Sequence, residues 1–168
     1  MKDCVRRLRL IVSELSVDSF INLIYDPDNP EAPTNSKIPR DPTLPRTFGA
    51  FVNSEQQGNY KINIGINFTG RVKKRSGIRI CSTVMGMGSR VSTLCHEMSH
   101  FEKKFADSSL GGMGTFDYDV DGRKPLPGEK DNWSYEQHLA GADKLVKTKD
   151  ENVFDNSYNI ERYFEIIV

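Results

Sequence analysis

The chain has 168 residues, enough for a single domain around one hydrophobic core. Its 23 Lys plus Arg balance 23 Asp plus Glu, and a chain of zero net charge lacks the basic excess of a nucleic-acid binder. Three cysteines are too few for a disulfide scaffold, and no apolar run approaches a membrane-spanning length.

From Val5 to Tyr25 apolar residues recur at helical spacing, through Leu8, Ile11, Val12 and Leu15 to Phe20, Ile21, Leu23 and Ile24. This predicts one or two helices, with a break near Ser16 to Ser19. The opening residues are charged and Glu14 cuts the apolar run, so no secretory signal is expected here. Residues 26–46 hold Pro27, Pro30, Pro33, Pro39, Pro42 and Pro45, and an extended loop is expected there rather than a domain boundary.

Strands are expected over 47–53 and 60–68, the second because Tyr60, Ile62, Ile64 and Ile66 alternate with polar residues or glycine. Gln56-Gln57-Gly58-Asn59 suits the turn between them. The run Arg71, Lys73, Lys74, Arg75 reads as a solvated turn rather than a nucleic-acid site. A third strand is expected over 77–82, then a loop at Met85-Gly86-Met87-Gly88. Ser89 can cap a helix running to about Phe105. Beyond the glycines at 111–114 come an acidic stretch at 117–121, a Pro/Gly loop at 125–128, and helices near 133–147 and 156–167. Cys81 and Cys95 could pair if that strand packs on that helix. For Cys95 the preferred reading is a small buried apolar residue.

His96-Glu97-Met98-Ser99-His100 carries the chemistry. Histidines at i and i+4 on a helix lie one turn apart on one face, so both rings can reach one metal ion. Glu97 beside them is suited to taking a proton from a metal-activated water and passing it to a leaving amine. This pattern predicts a zinc-dependent peptidase, in which zinc needs a third protein ligand. Position 106 is Ala106 and position 103 is Lys103, so a third histidine in the extended motif is absent. Asp117, Asp119, Asp121, Asp131, Glu136 and His138 remain open as the third ligand on the residues alone.

The run from Ser89 to Phe101, followed by Gly114-Thr115-Phe116-Asp117, resembles the aspzincins, the deuterolysin and peptidyl-Lys metalloendopeptidase family. Ile78-Arg79-Ile80-Cys81 is similar to that family's strand ahead of the active-site helix, and 156–165 to its closing helix. The resemblance covers about residues 60–168. It implies Asp117 as third zinc ligand; among the other acidic residues of that stretch Asp119 is the next candidate. The family places a tyrosine three residues after the aspartate to hydrogen-bond the oxyanion, but here Val120 stands there, leaving Tyr118 or Tyr135 to supply the hydroxyl. In lysine-specific members acidic residues of the closing helix receive the basic side chain after the cut. Glu161 matches one such position, Tyr158 replaces the other acid, and Asp155 is a substitute.

The expectation is therefore one α+β zincin-like domain over 1–168. It has an N-terminal helical part (1–25), a proline-rich loop (26–46) and a catalytic core (47–168). The expected activity is zinc-dependent endopeptidase, with Zn2+ as cofactor and a protein or peptide as substrate. By analogy with bacterial members, an effector or toxin domain delivered by specialised secretion, with an immunity or delivery partner, fits the size. The alternatives are a zinc-binding but inactive interaction module, or a peptidase with Glu136 as third ligand.

Overall fold

The structure, a computed structural model, describes residues 2–23, 49–53, 57–69, 80–102, 112–126, 129 and 131–165. The proline-rich loop, the basic run and residues 103–111 lie outside them. Among the described residues the fold is α+β, with four α-helices and a three-stranded sheet of order β1-β3-β2.

Helix α1 (Lys2–Glu14) forms because Cys4, Leu8 and Ile11 share a face at helical spacing and are buried. Arg7 pairs with Asp3 at 2.7 Å across one turn of the exposed side. The second expected helix does not form. After a short 3-10 turn at Val17–Ser19 the chain extends into β1 (Phe20–Asn22), which pairs in parallel with β3 (Ile62–Ile64). In so short an apolar run periodicity cannot separate strand from helix, and long-range pairing decided it.

Strand β2 (Ala50–Phe51) pairs antiparallel with β3, Ala50 opposite Ile64 and Phe51 opposite Asn63. The expected strand over 60–68 shortens at both ends. Tyr60 sits at φ 51°, a left-handed conformation incompatible with a strand, and Ile66–Thr69 forms a 3-10 turn. Nor is Asn63 on a solvated face. It is fully buried in the central strand, its amide donating to the Phe51 carbonyl at 3.1 Å.

Residues 80–82 form no strand. The Cys81 amide donates to the Asn67 carbonyl at 3.0 Å, and its thiol lies 3.2 Å from the Thr93 hydroxyl. All three cysteines are free, buried thiols, so Cys81 and Cys95 are not bridged.

Helix α2 (Arg90–Ser99) starts where Ser89 accepts the Ser92 amide at 3.1 Å. It ends a turn and a half earlier than expected because the chain leaves to meet residues 112–116. The Thr115 amide donates to the Ser99 carbonyl (3.1 Å) and the Gly114 amide to the Phe101 carbonyl (3.1 Å). Helix α3 (Tyr135–Thr148) is capped reciprocally by Ser134 and Gln137. Helix α4 (Ser157–Tyr163) is capped by Asn156 and is shorter than expected.

The core lies between α1, the sheet, α2 and α4. Leu8 and Ile11 meet Ile62, Met98, Phe101 and Ile160, with Tyr60 edge-on to Phe101 at 5.0 Å. Burying α2 from below leaves its histidine face turned toward α4 and the loop at 112–119. Among the described residues no helix is long and apolar enough to cross a membrane.

Candidate metal centre

His96 and His100 project from the last turn of α2, their ring centroids 5.0 Å apart. Asp117 reaches them from the loop, and backbone bonds fix its path. Gly112 packs so tightly that a Cβ there would meet the Phe101 carbonyl oxygen at 1.9 Å, and Gly114 takes φ 59°. Phe116 then bridges Asn156 in parallel: its amide donates to the Asp155 carbonyl (3.0 Å) and its carbonyl accepts from Ser157 (3.1 Å). The Ser157 hydroxyl donates to Asp117 Oδ1. Asp117 is thus held between α2 and the start of α4.

Asp117 Oδ1 lies 3.1 Å from His96 Nε2 and 3.6 Å from His100 Nε2. The three donor atoms all lie within 4.8 Å of one another. Bonds of about 2.0–2.2 Å at tetrahedral angles put neighbouring donors about 3.3–3.6 Å apart, and the 3.1 and 3.6 Å spacings need only a slight opening to take one ion. Both rings are also oriented from behind. His100 Nδ1 donates to the Thr115 carbonyl at 2.8 Å, and His96 Nδ1 donates to Glu161 Oε2 at 3.1 Å. A carbonyl and a carboxylate can only accept, which leaves each Nε2 lone pair for a metal. The group can hold a metal ion.

Electrostatics agree with that donor set. Burial works to lower the His96 pKa, but the Asp117 charge and the hydrogen bonds to Asp117 and Glu161 outweigh it and raise it to about 10. Burial works to raise Asp117, yet the two histidines hold its carboxyl well below the usual range. Without a metal, protons therefore compensate the cluster, and a cation would replace them.

Glu97 is buried and lines a cavity of about 300 Å³ with His96, His100, Asp117, Tyr135 and Tyr158. A second cavity of about 570 Å³ shares Val52, His100, Asp117, Asp131 and Trp133 with it, so the two adjoin at His100 and Asp117.

The other expected site residues fall as follows. Tyr118 is buried, its hydroxyl donating to Asp155 at 2.8 Å, and it is not among the cavity-lining residues. Tyr135 lines the cavity, with its hydroxyl 3.2 Å from Glu161 Oε1. Asp155 also faces Lys124 at 3.5 Å. Asp119 is occupied by Arg123 (2.8 Å) and by the amides of Asp121 and Arg123. Glu136 is exposed on α3. Asp131 pairs with His138 Nε2 at 3.1 Å, while His138 Nδ1 faces the Tyr118 carbonyl at 2.6 Å. Glu161 is fully buried. The Cys95 thiol is buried too, and burial with the nearby Glu161 charge raises it to about 12, which makes it inert as a nucleophile.

Sequence reasoning missed Tyr158 as a wall of this site. Its ring meets His96 edge-on at 4.6 Å and stacks on His138 at 4.6 Å and 8°. Burial, then the charges of Asp117, Glu161, Asp131 and Glu97, push its pKa well above the ordinary phenol value, so it stays a donor. The signal was its position three residues before Glu161, one turn away on the same face of α4.

Comparison with known proteins found no matching family model, no similar curated protein and no similar solved structure.

Proposed function

We propose that this chain is a zinc-dependent endopeptidase of the zincin type, with the aspzincin-like ligand set His96, His100 and Asp117. The observation that carries the proposal is the convergence of two helix-borne Nε2 atoms and one carboxylate beside the buried Glu97. Two imidazoles and a carboxylate suit zinc better than calcium or magnesium, which favour all-oxygen sites. When bound, zinc would polarise a peptide carbonyl and make water a better nucleophile near neutral pH.

The chain's own groups do the rest. Glu97 accepts the proton of the attacking water and delivers it to the departing amine. Tyr158, kept protonated by its surroundings, donates to the negative charge that develops on the carbonyl oxygen. This assigns the hydroxyl to Tyr158 rather than to Tyr118 or Tyr135, whose hydroxyls are hydrogen-bonded to Asp155 and Glu161. Two adjoining cavities that share His100 and Asp117 give room beyond the ligand cluster for an extended chain, which favours cutting within a polypeptide.

The test is hydrolysis of an unfolded polypeptide by zinc-loaded protein, before and after chelation and after zinc is restored. The proposal expects activity that is lost and then recovered, and an Asp117→Ala variant that fails to recover it. Hydrolysis indifferent to the chelator would contradict it.

A further inference from the structure

Glu161 has a carboxylate with no exposed surface, which is uncommon for a residue that must carry charge. Its two oxygens face different helices. Oε2 accepts from His96 Nδ1 at 3.1 Å, and Oε1 accepts from the Tyr135 hydroxyl at 3.2 Å. The Tyr135 hydroxyl also lies 3.5 Å from Glu165 Oε1, which accepts the Gly88 amide at 3.0 Å just before the α2 cap. The chain of contacts joins α2, α3 and α4 behind the metal-binding face of His96. By contrast the group behind His100 is the neutral Thr115 carbonyl.

Burying a carboxylate is costly unless it is paired and hydrogen-bonded, so this placement needs a compensating partner. His96 is that partner. We infer that Glu161 is a positioning residue of the metal site: it fixes the His96 ring through Nδ1 and strengthens Nε2 as a ligand, and it does not receive a substrate side chain. The inference rests on the proposed metal site and departs from the substrate-binding role that the family resemblance implies for this position. A substrate ammonium would need an exposed carboxylate edge, and Glu161 offers none. Through Tyr135 and Glu165 the same carboxylate ties the ligand's orientation to the packing of three helices.

The test measures zinc affinity of the full chain by competition with a chromophoric chelator, for the parent, Glu161→Gln and the exposed-site control Glu136→Gln. Loss of a carboxylate partner behind a ligating histidine typically costs 10–100-fold in metal affinity. That loss is expected for Glu161→Gln at unchanged circular dichroism, with Glu136→Gln equal to the parent. Because a buried substitution can disturb folding, the nitrogen resonances of His96 are read in the zinc-loaded parent as well. A protonated Nδ1 with a slowly exchanging, low-field proton is expected. Zinc binding by Glu161→Gln within about twofold of the parent, or an Nδ1 proton exchanging freely with water, would overturn the inference while leaving the metal site intact. A parent that binds no zinc would overturn both.

Discussion

Glu97 and Tyr158 reach the same cavity from α2 and α4, and their substitutions should separate chemistry from metal binding. Glu97→Ala is expected to retain zinc and lose activity by about 10²–10⁴-fold, the usual contribution of a positioned general base. Tyr158→Phe keeps the ring against His96 and His138 and removes only the hydroxyl. It should lower kcat by about 10²-fold with zinc affinity unchanged, whereas an unchanged kcat would exclude the donor role. His138 offers a pH signature of the wall itself. Burial works to lower its pKa, but the bonds to Asp131 and to the Tyr118 carbonyl raise it above 6.5. Its stabilising contribution is therefore full below that unfolded value and is lost as pH rises through the folded one. In an NMR titration its midpoint should lie above 6.5, and a midpoint at or below it would mean that the dyad is not formed.

The elements that build the site depend on two close approaches of the loop that carries Asp117. Gly112 lies against Phe101, and Gly141 of α3 lies so near the Asp119 carbonyl that a Cβ would meet its oxygen at 1.9 Å. Gly141→Ala should cost about 1–3 kcal/mol in a denaturant titration, because backbone rather than a yielding side chain stands in the way. A neutral result would mean that α3 and the loop can separate freely. Helix α2 was legible because Ser89 caps it, whereas the Ser134–Gln137 cap of α3 came to light only with the structure. Strand β1 was not, since its pairing with β3 crosses some forty residues of sequence. At the site, the His96 and His100 pair followed from helical spacing alone. Asp117 emerged only through the resemblance, because its position is set by backbone bonds to Ser99, Asp155 and Ser157. Nothing local in the sequence says that Glu161 is buried while Glu136 is exposed; that depends on which face of each helix the tertiary packing covers.

At the scale of the whole molecule, the candidate metal site joins α2 to a loop that is itself stitched to α4. Binding should therefore stabilise the fold as well as complete the site. At free zinc a hundredfold above Kd, stability should rise by about 2.7 kcal/mol, read as a higher Tm that a chelator reverses. An unchanged Tm at saturating zinc would mean that the ion binds elsewhere or equally well to the unfolded chain. The most direct test of the account compares zinc-loaded parent and Glu97→Ala on a mixed peptide library, with new termini read by mass spectrometry. The expected result is a set of internal cuts made only by the parent and abolished by a chelator. Identical termini from both proteins, with zinc confirmed in each, would contradict the peptidase reading and leave a metal-stabilised binding module in its place.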